Sequence, residues 1–249
     1  MKNELKEKFI ELWNKYFGTA ELPIAFYFSE SLNNLALVEP PKNWNCLICE
    51  LAKVRKGESL VFNSESIGCN GAKRYIGYNV EMNPTFRYFL SYGIEGKVRG
   101  ERYKISPEVV DETQKHLINI PSIGENIIFK RWDKLTESDN PEAVIFFAKP
   151  EILSGLFTLA NFDQVDPQGV ISPFGPGCGS IIHYPYLENS KDNPKCVLGM
   201  FDPSARTCVP ENTLSFAIPM KKFEKIISYM EESFLITPTW AKARKRFEN

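Results

Sequence analysis

"EAVIFFAKPEILSGLFTLANF", residues 142–162, decides the fold. Its first part, "EAVIFFAKP", is a short apolar run enriched in bulky residues, which predicts a buried strand. Its second part, "EILSGLFTLANF", puts Ile152, Leu156 and Leu159 on one helical face. A strand feeding directly into an amphipathic helix implies a sheet with helices packed on it.

The same order stands earlier in the chain. "IAFYF", "CLICELAKV", "LVFN" and "GCNG" run strand, helix, strand, glycine–cysteine bend. "VIFFA", "ILSGLFTLA", "GVIS" and "GCGS" repeat that order in the second half. We therefore expect an α+β fold with a mixed sheet or sheets and helices, in a single domain of residues 1–249. It reads as two pseudo-symmetric halves, 20–92 and 141–235, joined by 93–140 and packed as one unit. The halves share very little sequence identity, and chance recurrence of a common order is the alternative.

Further elements follow from the same signals. Leu5, Phe9, Leu12, Trp13 and Tyr16 share one face of an opening helix. "NPTFRYFLSYG" starts with Asn83 as cap and Pro84 in the first turn, and "SPEVVDETQKHL" starts with Ser106 and Pro107. "TLSFAIPM" alternates as a strand, and "KKFEKIISYMEESF" is an amphipathic helix. Between them, "GIEGKVRGERYK" sets Gly93, Gly96 and Gly100 among Lys97, Arg99, Arg102 and Lys104. It is either a solvated loop or a flap whose cations reach an anionic ligand.

Composition narrows the function classes. The chain has 249 residues, 43% of them hydrophobic, and a formal net charge of −1 with pI near 6.2. That size and apolar content support a real core. So balanced a charge argues against nucleic acid as a partner. No secretory signal and no apolar run long enough to cross a bilayer is visible, so we expect a cytoplasmic protein that does not engage a membrane. Nothing in the sequence sets the oligomeric state.

Six cysteines are too few for a disulfide scaffold, and a reducing compartment would keep all six as thiols. Cys69 and Cys178 sit in glycine-rich bends ahead of helix starts. Glycine there permits close approach, as at Gly71 and Gly179, and the helix dipole would favour thiolate. Cys46 and Cys49 form a C-x-x-C, which has three readings: half of a metal site, a redox pair, or two core positions. Cys46 or Cys49 together with Cys69 and Cys178 could gather three or four thiolates around an iron–sulfur cluster or another soft metal. Cys196 and Cys208 read as structural. His183 lies five residues after Cys178, a spacing open to a Cys–His catalytic pair. Arg206 in "FDPSART" is either structural or an anchor for a carboxylate or phosphate.

An ordered set of segments now carries a resemblance. "NWNCLICELA", "SIGCNGAKRYIGY", "NIPSI", "PEAVIFFAKPEILSGLFTLANF", "GPGCGSIIHYPYL", "GMFDPSAR" and "TLSFAIPMKKFEKI" occur in that order over roughly residues 20–235. Together they resemble the uncharacterised prokaryotic family called domain of unknown function 169. The resemblance matches family positions to Cys46 ahead of Ala52, to Cys69 with Gly71, to Cys178 ahead of Pro185 and Tyr186, and to Arg206. It places no family cysteine at Cys49, Cys196 or Cys208, and it implies no agreed activity.

The expectation is a ligand- or cofactor-binding protein with a cysteine-lined site between its halves. Cys46, Cys69 and Cys178 are the expected metal ligands, for an iron–sulfur cluster or another thiolate-bound metal. Arg206, Gly71, Gly179 and Tyr186 are the expected contacts to a small or anionic ligand. Two other readings stay open: a small-molecule-binding protein with only structural cysteines, and a thiol-dependent enzyme using Cys178 with His183.

Overall fold

The apolar runs come together in one mixed sheet of seven strands. They are β1 (Ile24–Ser29), β2 (Leu60–Phe62), β3 (Asn126–Arg131), β4 (Ala143–Ala148), β5 (Val170–Ile171), β6 (Cys196–Gly199) and β7 (Leu214–Pro219). The strands lie in the order β2-β3-β1-β4-β7-β6-β5, and every neighbouring pair is antiparallel except β5 with β6. This is a computed structural model, which describes residues 3–78, 81–121 and 123–247. Ser122 of "NIPSI", Asn79 and Val80, and residues 1–2 and 248–249 fall outside the described residues.

Ten α-helices are found among the described residues. They are α1 (Asn3–Phe17), α2 (Leu47–Arg55), α3 (Asn70–Ile76), α4 (Phe86–Phe89), α5 (Pro107–Lys115), α6 (Pro150–Asn161), α7 (Tyr184–Asn189), α8 (Pro203–Arg206), α9 (Met220–Tyr229) and α10 (Pro238–Arg244). A π-helical turn, Gly179–His183, runs straight into α7. None of these helices is long and apolar enough to cross a membrane.

Side-chain alternation along the strands divides the apolar residues between two cores. Ala25, Tyr27, Val144, Phe146, Phe216 and Ile218 face α1, α6, α9 and α10. Ile24, Phe26, Ile145, Phe147, Val197 and Ala217 face α2, α3 and the π turn. Both faces are therefore dry, which is why β4 reads as an unbroken apolar run rather than an alternating one. Each buried Phe or Ile contributes about 1.5–3 kcal/mol relative to exposure.

The first core ties the chain ends together. Trp13 stacks on Phe17 with ring centroids 4.2 Å apart, and the Trp240 indole donates to the Tyr16 carbonyl at 2.9 Å. Gly155 makes room for this contact, because a Cβ there would lie 2.6 Å from the Trp240 ring.

Several expectations are corrected. All six cysteines were expected as thiols, but Cys49 and Cys208 are joined in a disulfide. The helix expected from Asn83 shrinks to α4, because the Asn83 side chain accepts from the Thr85 amide and hydroxyl and holds a turn there. Strands β3 and β6 were not foreseen. The first ends in Lys130 and Arg131, and the second is four residues long, so neither shows a clean period. The segment expected to join the two halves supplies β3, which lies between β2 and β1. The sheet runs unbroken across both expected halves. The helices α2 and α6, which correspond in the repeated order, pack on opposite faces.

One charged pair is set into the first core. The Lys130 ammonium donates to both Asp139 oxygens, at 3.0 and 2.8 Å, and the Tyr27 hydroxyl also donates to that carboxylate. The Lys130 and Asp139 side chains are 7% and 1% exposed. Removing one partner leaves an uncompensated buried charge. Lys130→Met is expected to lower the unfolding free energy by about 3–5 kcal/mol, measured by urea denaturation. A loss under 1 kcal/mol would show that the pair is solvated.

Candidate functional site

The apolar stripe of α2 sets the first thiols. Leu47, Ile48, Leu51 and Val54 are buried against the second core, which leaves Cys49 exposed and Cys46 half-buried at the helix N-cap. The Cys49 amide donates to the Cys46 carbonyl at 3.1 Å, so the two residues flank the first turn. Cys208 follows α8, where its amide donates to the carbonyl of buried Ala205 at 3.0 Å. The chain thus brings Cys208 onto Cys49 across 159 residues of sequence. The sulfurs of Cys46, Cys49 and Cys208 all lie within 4.8 Å of one another, a group that could hold a metal ion.

Two more thiols border this group. Cys69 is the N-cap of α3, and Gly68 lets the bend press against the 41–45 segment. A Cβ at Gly68 would come within 2.8 Å of Pro41 and 3.0 Å of the Asn45 amide. Cys178 lies in the first turn of the helix that begins at Gly177. A Cβ at Gly177 would lie 2.8 Å from the Met200 sulfur and 3.3 Å from Ile48. Cys46, Cys69 and Cys178 are near enough for their charges to act on one another, and Asp202 acts on both Cys46 and Cys178.

The electrostatics differ from the expectation at Cys178. Burial pushes its thiol well above the usual range, and the nearby Cys69, Cys46 and Asp202 push the same way. The helix start does not compensate for desolvation on this scale, so the thiolate expected at Cys178 is disfavoured. Burial also raises Cys46, although the amides of Ile48 and Cys49 oppose it. His183 goes the other way. Burial lowers it, with the backbone of Tyr75 and Ile118 offsetting part of the effect. Neither ring nitrogen makes a hydrogen bond of ordinary geometry, and the ring sits edge-on to Tyr75 and Tyr184 at 5.3 and 5.2 Å. Cys178 and His183 are therefore both driven to their neutral forms, which disfavours a thiolate–imidazolium pair.

The other expected positions are spread around the group. The Cys69 sulfur would lie 3.6 Å from a Cβ at Gly71, and a Cβ at Gly179 would lie 3.1 Å from the Tyr75 ring. Arg206 donates to the Thr213 carbonyl, which is its structural reading. Tyr186 sits edge-on to Phe28 at 5.7 Å, away from the sulfurs in the contacts it makes. Cys196 belongs to the first core, on the opposite face of the sheet. Sequence reasoning marked the 46–49 spacing but not Cys208, whose place in the group has no local signature.

The glycine-rich segment 93–104 borders this region. Gly93 and Gly96 have φ of +84° and +67°, and Ile94 pairs with Val98 in a tight hairpin. Beyond it, the Tyr103 hydroxyl engages Ser204 at the start of α8, and its ring meets Phe174 at 6.4 Å. The Lys104 ammonium stands 5.5 Å over that same Phe174 ring.

The π turn is held to the sheet by one very close contact. A Cβ at Gly199 would lie 2.1 Å from the Ser180 Cβ. Gly199→Ala is expected to cost about 3 kcal/mol or more in stability by urea denaturation, because backbone must shift on both sides. Adding Ser180→Gly should recover part of that loss. No recovery in the double variant would place the strain elsewhere.

Comparison with known proteins gives one informative match. No curated protein and no solved structure matches the chain. A family model matches residues 14–229, that of DUF169, described as an uncharacterised ArCR. That span holds the whole sheet and all six cysteines, and over it the chain belongs to the DUF169 family.

Proposed function

We propose that this chain is a thiolate-ligated metal protein, with Cys46, Cys49 and Cys208 as the ligand core and Cys69 as the fourth ligand. The observation that carries this reading is the meeting of three sulfurs within 4.8 Å, contributed by segments far apart in sequence. Tetrahedral thiolate around zinc or a cluster iron puts neighbouring sulfurs about 3.8 Å apart, so after reduction the Cys49 and Cys208 sulfurs must part and Cys69, outside the 4.8 Å group, must draw in. An all-sulfur set suits zinc or an iron–sulfur cluster and excludes hard cations such as magnesium. Cys46 and Cys69 both stand at helix starts, whose partial positive charge offsets an anionic thiolate cluster. Cys178, buried behind them and hard to ionise, serves as the apolar wall of the site or as a reserve ligand. This keeps Cys46 and Cys69 of the trio expected from the sequence and replaces Cys178 with Cys49 and Cys208.

Ligation requires the Cys49–Cys208 disulfide to be reduced, with two electrons and two protons from a thiol reductant. The reading therefore suits a reducing compartment such as the cytoplasm. The cations of the 93–104 segment, Lys97, Arg99, Arg102 and Lys104, would receive a small anionic ligand, with Lys104 the one that stands over the Phe174 ring.

A second reading has one observation in its favour. The Cys49–Cys208 disulfide is itself a structural staple, as in a small-molecule-binding protein whose cysteines only hold the fold.

Metal titration of the reduced protein under anaerobic conditions separates the two. About one zinc ion per chain, or iron with acid-labile sulfide, is expected. Cys46→Ser and Cys208→Ser should each weaken binding at least tenfold, while Cys196→Ala on the far face leaves it unchanged. Burial raises the Cys46 thiol, so a proton competes with the metal at neutral pH. Affinity should thus rise as pH rises from 7 to 9. Absence of bound metal in the reduced protein, or binding indifferent to Cys46→Ser and Cys208→Ser, favours the second reading.

A further inference from the structure

We propose that Cys46, Cys49 and Cys208 form a thiol–disulfide exchange centre that opens to outside thiols at Cys49. Three observations carry it. A free thiol, Cys46, lies within 4.8 Å of both sulfurs of an existing disulfide. One end of that disulfide, Cys49, is exposed, while Cys46 and Cys208 are half-buried. Exposed disulfides are the labile ones, and the accessible sulfur is where an outside thiolate attacks. Finally, Cys46 and Cys49 occupy the N-cap and third position of α2, with Cys46 extended at φ −83° and ψ 126°. A C-x-x-C in that place can close into a disulfide at the mouth of a helix without unwinding it.

The chemistry is a rearrangement and needs no oxidant. The Cys46 thiolate attacks the Cys49 sulfur, and a Cys46–Cys49 bond forms. The Cys49–Cys208 bond breaks, and its electron pair leaves on the Cys208 sulfur. Cys208 then takes up the proton that Cys46 gave up. A small outside monothiol can carry the same change in two steps. Its thiolate first attacks Cys49, releasing Cys208 and leaving a mixed disulfide. Cys46 then attacks Cys49 and releases the monothiol unchanged. Cys208 is thus the leaving thiol, Cys49 the shared sulfur, and Cys46 the resolving thiol. The outcome moves the free thiol from the start of α2 to the segment after α8.

Exchange runs through a thiolate nucleophile, so the rearrangement should be faster at higher pH and stop in acid. The rearrangement uses metal-free oxidised protein, so it stands or falls separately from metal ligation.

The test is disulfide mapping of the full-length, metal-free chain. The protein is oxidised with 2-hydroxyethyl disulfide, incubated with or without trace 2-mercaptoethanol at several pH values, alkylated in acid and mapped by peptide mass spectrometry. The wild type should yield both Cys49–Cys208 and Cys46–Cys49 linkages. The second should appear faster with added monothiol and faster at higher pH. Cys46→Ser keeps a good helix cap and should show Cys49–Cys208 as its one intrachain linkage, beside a fraction with a 2-mercaptoethanol adduct on Cys49 and a free Cys208. Circular dichroism of the variant confirms that it is folded. Three results would each overturn the proposal. In one, Cys49–Cys208 is the sole linkage in the wild type at every pH, with Cys46 fully alkylated. In another, the Cys49–Cys208 bond never forms. In the third, rearrangement in Cys46→Ser is as fast as in the wild type, which would assign the resolving role to another thiol.

Discussion

Water must be kept from both faces of the seven-stranded sheet, and the rest of the molecule is arranged around that requirement. Strand β4 lies at its centre with all six residues buried. Its partners β1 and β7 are likewise apolar on both sides, so each face needs its own layer of helices. The aromatic packing of α1, α9 and α10 closes one face, and α2, α3 and the π-helical segment close the other. A charge inside such a structure is tolerated only when paired, which explains the tight grouping of Lys130, Asp139 and Tyr27.

The candidate site is a by-product of how the second face is closed. The helix starts of α2, α3 and the Gly177 segment are brought together over it, and each carries a cysteine at or near its start. Backbone contact makes this possible. Gly68, Gly177 and Gly199 each stand where a Cβ would collide with a neighbouring segment. The glycines beside the cysteines therefore set distances between segments, which matters more here than any freedom of φ. The same closeness has an electrostatic cost. Cys178 is buried deeply enough that desolvation overrides the favourable end of its helix, while Cys49 remains open to solvent.

Much of the layout was legible from local patterns. The strand–helix stretch at 142–162, the helical face of α1, the Ser106 cap and the amphipathic α9 all follow from periodicity and capping chemistry. Strands β3 and β6 were not legible, since their stability comes from neighbours paired with them and not from their own composition. The C-x-x-C drew attention to Cys46 and Cys49, yet spacing alone left a metal site, a redox pair and core packing equally open. Cys208 was read as an isolated structural residue because no nearby motif marks it.

By itself, the sequence determined the fold class, most of the elements and which segments carry reactive sulfur. These are short-range properties, written in the period of apolar residues and in the residues that cap and bend the chain. Only the tertiary structure decided which sulfurs meet, which of them water reaches, and which side of the sheet each helix covers. Those depend on contacts between residues more than a hundred positions apart, as with Cys49 and Cys208. Such contacts are fixed by the joint burial of both sheet faces, a condition that no local stretch of sequence contains.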